Sequence, residues 1–335
     1  DPYRWLEDPN TDETADWVKA QNKVTFSYLG QLPGRDQLKN RLTELWNYER
    51  YGTPFKQANR YFYYKNDGLQ NQSVLYTLPN LDAKPTVLLD PNTLSEDGTV
   101  ALSGISISEN AQYLAYGLST AGSDWVEWRV RDIATGQDTS DHLKWVKFSG
   151  ASWTHDHQGF FYSRYDEPNE DSKLEDVNYY QKLYYHRLGT PQDQDTLIYE
   201  RPDQKEWGFS GRVTEDGQYL IISVWRGTDP KNLLFYKDLT DENAEVIELI
   251  SEFEAQYSLI DNEGCTFWFR TDLDAPKGKV IAIDIATPDK SNWQILIPEA
   301  EETLESVGLL NNQFVADYLK DAYSQIKIFA LSGAS

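Results

Sequence analysis

The sequence predicts an all-β fold, a β-propeller preceded by two amphipathic helices, and three observations carry that prediction. A turn followed by a short aromatic or aliphatic strand recurs at Asn59-Arg60-Tyr61, Ala111-Gln112-Tyr113, Gln158-Gly159-Phe160, Gly217-Gln218-Tyr219, Gly264-Cys265-Thr266 and Asn312-Gln313-Phe314, an interval of about 50 residues that suits one four-stranded blade per unit. Each unit has a second half of strand, polar turn and strand, as in Val74-Leu75-Tyr76 to Val87-Leu88-Leu89, Leu183-Tyr184-Tyr185 to Leu197-Ile198-Tyr199 and Leu234-Phe235-Tyr236 to Val246-Ile247. Finally, 22 Tyr, 13 Phe and 11 Trp bring the aromatic content to 14%, a bias toward side chains that fit pleated, half-buried surfaces, while 39% hydrophobic residues supply a core.

Residues 1–48 read as a separate helical segment. From Thr11 to Leu29, Trp17, Ala20, Val24, Ser27 and Tyr28 share one helical face, with Asp12 and Glu13 in the first turn, where carboxylates suit the helix dipole, and Gly30 just past the end. After the breaker Pro33-Gly34, a second helix over Arg35 to Trp46 carries Leu38, Leu42, Leu45 and Trp46 on one stripe. Both stripes call for an apolar surface to cover. Residues 49–335 are the propeller. The turns Asn80-Leu81-Asp82 and Ala134-Thr135-Gly136 have hairpin chemistry, and an irregular stretch over Tyr165 to Asn178 accounts for the longest interval. In the last unit Ile326-Lys327-Ile328-Phe329 supplies a third strand, so the chain covers about five and a half to six blades. An unclosed propeller exposes strand edges, and there is no Met even at position 1; both lead us to expect a piece of a longer protein that continues past Ser335.

Charge narrows the function classes. The net charge of −23 would repel a nucleic-acid backbone or an anionic membrane, and no apolar run approaches the ~20 residues of a membrane helix. No secretory-signal pattern opens the chain and Cys265 stands alone, so no internal disulfide forms and a cytoplasmic location is expected; Cys265 reads as buried in a strand. No nucleophile motif stands up: Gly208-Phe209-Ser210-Gly211-Arg212 displaces the closing Gly of a nucleophile elbow and lies in a turn-then-strand pattern, which reads as a blade turn. His155 and His157 form an H-x-H pair without further ligands, and Asp272 and Asp274 lack the rest of a calcium loop and read as solvated turn carboxylates, so neither a metal nor a cofactor is expected. A propeller glycosidase would draw paired acids from inner strands, whereas acids here concentrate in turns such as Thr214-Glu215-Asp216-Gly217. The Gly-His and Trp-Asp dipeptides of WD repeats are absent.

Several motifs, in order, resemble the amino-terminal half of the prolyl oligopeptidase family of serine peptidases: Asp1-Pro2-Tyr3-Arg4-Trp5-Leu6-Glu7-Asp8-Pro9, Gly68-Leu69-Gln70-Asn71-Gln72, Leu89-Asp90-Pro91-Asn92, Gly122-Ser123-Asp124-Trp125-Val126 and Val146-Lys147-Phe148-Ser149. The resemblance implies a seven-bladed propeller set as a lid over an α/β-hydrolase domain, around which the amino-terminal helices wrap. It implies cleavage of short peptides after proline by a Ser-Asp-His triad carried in the carboxy-terminal half, with none of it in this chain, which alone is expected to be inactive. By the same resemblance Phe148 matches an aromatic lining the substrate's third subsite, with blade core as its bland alternative. Asp124 matches a position paired with an Arg in mammalian-type members, but Trp225 falls at that Arg and Arg226 one residue later, so the pair stays open. Thr228 falls where some relatives carry a subsite Cys. The implied partners are proline-containing oligopeptides and the hydrolase domain of the same protein, in a monomer. A non-enzymatic propeller that binds peptides or a protein remains the alternative.

Overall fold

Six antiparallel sheets follow one another along the chain in a computed structural model that describes residues 1–168 and 178–334. Two helices precede them. Helix α1 (Asp12–Gly30) starts at Thr11, whose Oγ1 accepts the Thr14 N–H at 3.2 Å and so satisfies one of the free donors of the first turn. Helix α2 (Arg35–Trp46) starts after Gly34, which takes a left-handed φ of 84°. The Thr14 hydroxyl donates to the Trp5 carbonyl, and Trp5 meets Trp17 edge to face. The stripe on α2 is open to solvent, with Leu38, Leu42, Leu45 and Trp46 all more than half exposed, as are Val24 and Tyr28 on α1. Among the described residues no helix is long and apolar enough to cross a membrane.

The sheets repeat one plan. Blade 1 comprises Arg50–Tyr51 and Phe55–Gln57, both paired to Arg60–Asn66, then Val74–Leu78 and Thr86–Leu89. Blade 2 is Val100–Ile107, Tyr113–Thr120, Val126–Asp132 and Asp138–Val146, and blade 3 is Ser152–Trp153, Gly159–Arg164, Lys182–Arg187 and Thr196–Tyr199. Blade 4 is Trp207–Val213, Tyr219–Arg226, Leu233–Asp238 and Ile247–Ile250; blade 5 is Tyr257–Glu263, Thr266–Thr271, Lys279–Asp284 and Gln294–Ile297. Blade 6 has three strands, Thr303–Leu310, Gln313–Lys320 and Tyr323–Ala330. The recurrent turn-strand units thus open the second strand of every ordinary blade, and the register slips between third and fourth strands at equivalent places, Leu75/Tyr76, Leu183/Tyr184, Leu234/Phe235 and Val280/Ile281. The expected irregular stretch lies outside the described residues except at its ends, 165–168 and 178.

Blades 2 to 5 are apolar on both faces because each packs on two neighbours, whereas blades 1 and 6 each share a buried cluster with one. Phe62, Leu75 and Leu89 of blade 1 meet Leu114 and Tyr116 of blade 2; Trp128 and Leu143 meet Phe160 and Tyr162; Phe161 and Leu183 meet Phe209 and Phe235; Ile221 and Tyr236 meet Phe267 and Phe269; Trp268 and Val280 meet Phe314 and Tyr318. Full burial of each large side chain stabilises by about 1.5–3 kcal/mol relative to exposure, so the contiguous stack, and no single sheet, holds the fold. One joint is ionic. His186 on blade 3, wholly buried, has Nδ1 2.7 Å from Asp195 and Nε2 3.0 Å from Asp141 on blade 2. With a carboxylate at each ring nitrogen, only the doubly protonated ring satisfies both bonds. Burial alone would lower the pKa, but the bonds to Asp141 and Asp195 outweigh it and raise it to about 9.

Alternation of strand direction sorts the connections onto two faces. Links between second and third strands, and from each fourth strand to the next blade, emerge together; links between first and second strands emerge opposite. His155, His157 and Asp216 therefore lie on the second of these faces, with Cys265. Cys265 is exposed in the turn before Thr266–Thr271, which corrects the expectation of a buried strand cysteine: the one-residue position between Gly264 and the strand start leaves its side chain outside the sheet.

Candidate functional site

On the first face the link from blade 2 to blade 3 carries Phe148, and the backbone there is unusual. Phe148 has a φ of 54° and Trp145 one of 62°, left-handed values that cost a non-glycine residue of order 1 kcal/mol and persist only when neighbours fix them. The fixing groups are present. Gln181 is almost wholly buried; its Nε2 donates to the Lys147 carbonyl at 2.9 Å while its Oε1 accepts the Phe209 N–H at 2.6 Å. Ser149 Oγ accepts the Ser163 N–H at 2.7 Å, and the Ser163 hydroxyl donates to the Phe209 carbonyl. The Lys147 ammonium donates to Asn178 and lies 4.0 Å from the Trp125 ring centre. Val146 and Lys147 are consequently buried while the Phe148 ring is 52% exposed. The blade-core alternative for Phe148 is thereby set aside.

That ring forms one side of a cavity of about 840 Å³ whose lining also includes Trp225, Arg226, Thr228, Tyr179 and Glu206. Trp225 meets Phe148 edge to face, with centroids 5.9 Å apart and planes at 89°, a favoured aromatic geometry. Trp225 reaches this position because its cross-strand partner is Gly208: a Cβ at Gly208 would overlap the indole, with Cη2 only 2.6 Å away. The Gly-Phe-Ser-Gly segment considered as a nucleophile motif is in fact the regular first strand of blade 4, and its glycine makes room for a tryptophan. Gly227 takes a φ of 53° in the tight turn that follows, which brings Thr228 and Asp229 to the rim. There Arg226 pairs with Asp229 at 2.9 Å and lies 4.4 Å from the Phe253 ring centre. The Lys231 N–H and then the Arg226 guanidinium hold the Asp229 carboxyl below the usual range.

Of the five residues singled out from sequence, then, Phe148, Trp225, Arg226 and Thr228 share this cavity. Asp124 is exposed on the blade 2 link beside Trp125 and is not among the lining residues; Arg226 forms its ion pair with Asp229 instead. Glu206, Tyr179, Asn178 and Asp229 are lining residues that sequence reasoning did not single out, and Gln181 and Gly208 are their unseen supports. Among the described residues no group of three or more His, Cys, Asp or Glu is arranged to hold a metal ion.

Six successive antiparallel blades, four of them four-stranded, define a β-propeller domain, with the aromatic-walled cavity on one of its faces. The chain belongs to the prolyl oligopeptidase family: the family model for the N-terminal beta-propeller domain matches residues 1–335. It is 40% identical over 333 residues to prolyl endopeptidase of Elizabethkingia miricola, covering 99% of this chain and 46% of that protein, and 34% identical over 364 residues to prolyl oligopeptidase A of Galerina marginata, covering 99% and 49%. The chain spans about half the length of the curated relatives it matches. Among solved structures, prolyl oligopeptidase B of Galerina marginata bound to a 25mer macrocyclization substrate superimposes with a TM-score of 0.91 at 31% identity, over 100% of this chain and 50% of that one, and the apo form of the same protein with 0.78 at 32%, over 100% and 50%.

Proposed function

We propose that this chain is the substrate-admitting propeller of a serine-type endopeptidase that hydrolyses short peptides after proline. The acyl-transfer chemistry, a Ser activated by His, belongs to an α/β-hydrolase half that would account for the remaining length of the relatives. On this reading the exposed stripes of α1 and α2 pack on that half, and the propeller restricts access and contributes one wall of the peptide site. The observation that carries the reading is the Phe148–Trp225 pair: a large apolar ring held outside the core, in a strained backbone conformation, by buried polar supports. Exposure of this kind costs stability and is retained where a ligand covers the ring.

The test is Phe148→Ala in the full-length polypeptide. A peptide whose third residue before the scissile bond is apolar should show a KM raised about 2- to 10-fold, the range for losing one aromatic contact, with kcat little changed because the contact is the same in ground and transition states. An unchanged KM would overturn the assignment of the cavity. This chain by itself, purified free of host peptidases, should not turn over a Gly-Pro chromogenic substrate; turnover would refute the placement of the chemistry elsewhere.

A further inference from the structure

We infer that the cavity selects peptides carrying a cationic side chain at the residue that meets Phe148 and Trp225, with Glu206 as the residue that sets this preference. The inference rests on the reading of the cavity as a peptide site and extends it to a substrate class. Two carboxylates, Glu206 and Asp229, line the cavity against one guanidinium, Arg226. Asp229 is engaged: it takes the Arg226 side chain at 2.9 Å and the Lys231 N–H at 3.1 Å. Arg226 is engaged as well, held between Asp229 and the Phe253 ring. Of the neighbouring lysines, Lys205 lies 4.3 Å from the Tyr179 ring centre and Lys147 is tied to Asn178. Glu206 differs from all of these: it is exposed, and no hydrogen bond or ion pair engages its carboxylate among the described residues.

An open carboxylate lining the same cavity as two aromatic rings is a composition that can hold an ammonium or guanidinium group. The ring faces attract the cation through their quadrupoles, the carboxylate supplies the opposite charge, and the methylene stem of Lys or Arg packs on the apolar wall. The field of the whole chain acts in the same direction, since a net charge of −23 raises the local concentration of cations and opposes anionic peptides. A ligand with an acidic side chain at this position would instead meet an uncompensated like charge.

The experiment uses the full-length protein and three chromogenic peptides Xaa-Ala-Pro that differ only in Xaa: lysine, norleucine, which keeps the four-carbon stem without the ammonium, and glutamate. The expected order of kcat/KM is lysine over norleucine over glutamate, with lysine favoured over norleucine by about 3- to 10-fold at low salt, the range for one partly exposed charge pair together with a cation–π contact. The ratio should fall as salt is raised. In Glu206→Gln it should collapse toward unity, and in Glu206→Lys the order of lysine and glutamate should reverse. Equal rates for lysine and norleucine peptides, with Phe148→Ala still raising KM, would overturn the cationic preference and leave the peptide wall standing. No effect of Phe148→Ala on any of the three peptides would remove the reading on which the preference rests.

Discussion

Gly208→Ala is the sharpest probe of how the fold holds the cavity, because one methyl group separates the two states. Gly208 and Trp225 face each other across blade 4, and the indole lies where a Cβ would sit; Cζ2 and Cε2 would overlap it and Cη2 would be 2.6 Å away. The obstruction is a ring carried on a strand whose neighbours Val224, Leu233 and Phe235 are buried, so the backbone has little room to yield and the indole must turn away. Two consequences follow with separate magnitudes. Overpacking and an off-rotamer tryptophan should lower stability by about 1–3 kcal/mol. Loss of the edge-to-face contact with Phe148, worth about 0.5–1.5 kcal/mol, should raise KM for a peptide with an apolar third residue by about 2- to 10-fold in the full-length protein, with kcat nearly constant. Steady-state kinetics read the second effect and thermal unfolding the first. A variant that unfolds at a lower temperature but keeps its KM would show that Trp225 does not build the peptide wall, and a variant unchanged in both would contradict the packing itself.

His186 makes the joint between blades 2 and 3 dependent on pH. Its folded pKa of about 9 lies above the ordinary value near 6.5, so the stabilisation is complete below pH 6.5 and is lost as pH rises through 9. The wild-type protein should lose roughly 3 kcal/mol of stability between pH 6.5 and 10 that His186→Gln does not lose; parallel pH profiles of unfolding for the two proteins would refute the charged latch. Gln181→Leu keeps the volume but leaves the Lys147 carbonyl and the Phe209 N–H without their partner. It should cost about 1–3 kcal/mol and, by loosening the Phe148 backbone, raise KM more than it lowers kcat; a stability loss with unaltered KM would mean the link holds its shape without that bridge.

The repeat was legible in sequence because blade geometry imposes a fixed local order: a polar turn, then a strand apolar on both sides. Tyr61, Tyr113, Phe160, Tyr219, Thr266 and Phe314 could be read without knowing which strands pair, and each lies at the start of a second strand. Helix α1 was likewise visible from its cap and stripe, to within one residue at either end. The supports of the cavity were not visible. Gly208 and Trp225 are 17 positions apart and meet only through strand register, while Gln181 bridges two different blades. The His186 pair was missed for the same reason: Asp141 lies 45 residues upstream, on the neighbouring blade. Cys265 was misjudged because a strand's first residues look alike whether they point into the sheet or cap it.

The cavity draws its lining from the link after blade 2, the stretch before the third strand of blade 3, the link after blade 3 and the turn inside blade 4, whereas the buried clusters lie in the strands between. This separation has a mechanical consequence. Phe148, Glu206 and Thr228 lie outside the buried clusters that join the blades, so on the proposed reading the preference for one peptide over another is free to vary at nearly constant stability. Trp225, Gly208 and Gln181 do not share that freedom, since each belongs at once to a strand or a buried bridge and to the cavity wall. Substitutions in the first group should therefore redistribute kcat/KM among peptides, and substitutions in the second should move KM and unfolding temperature together. The left-handed backbone at Phe148 marks where the two groups meet: the ring is free to be replaced, but the conformation that presents it is held by the buried Gln181 and Ser163 together with Ser149 of the link.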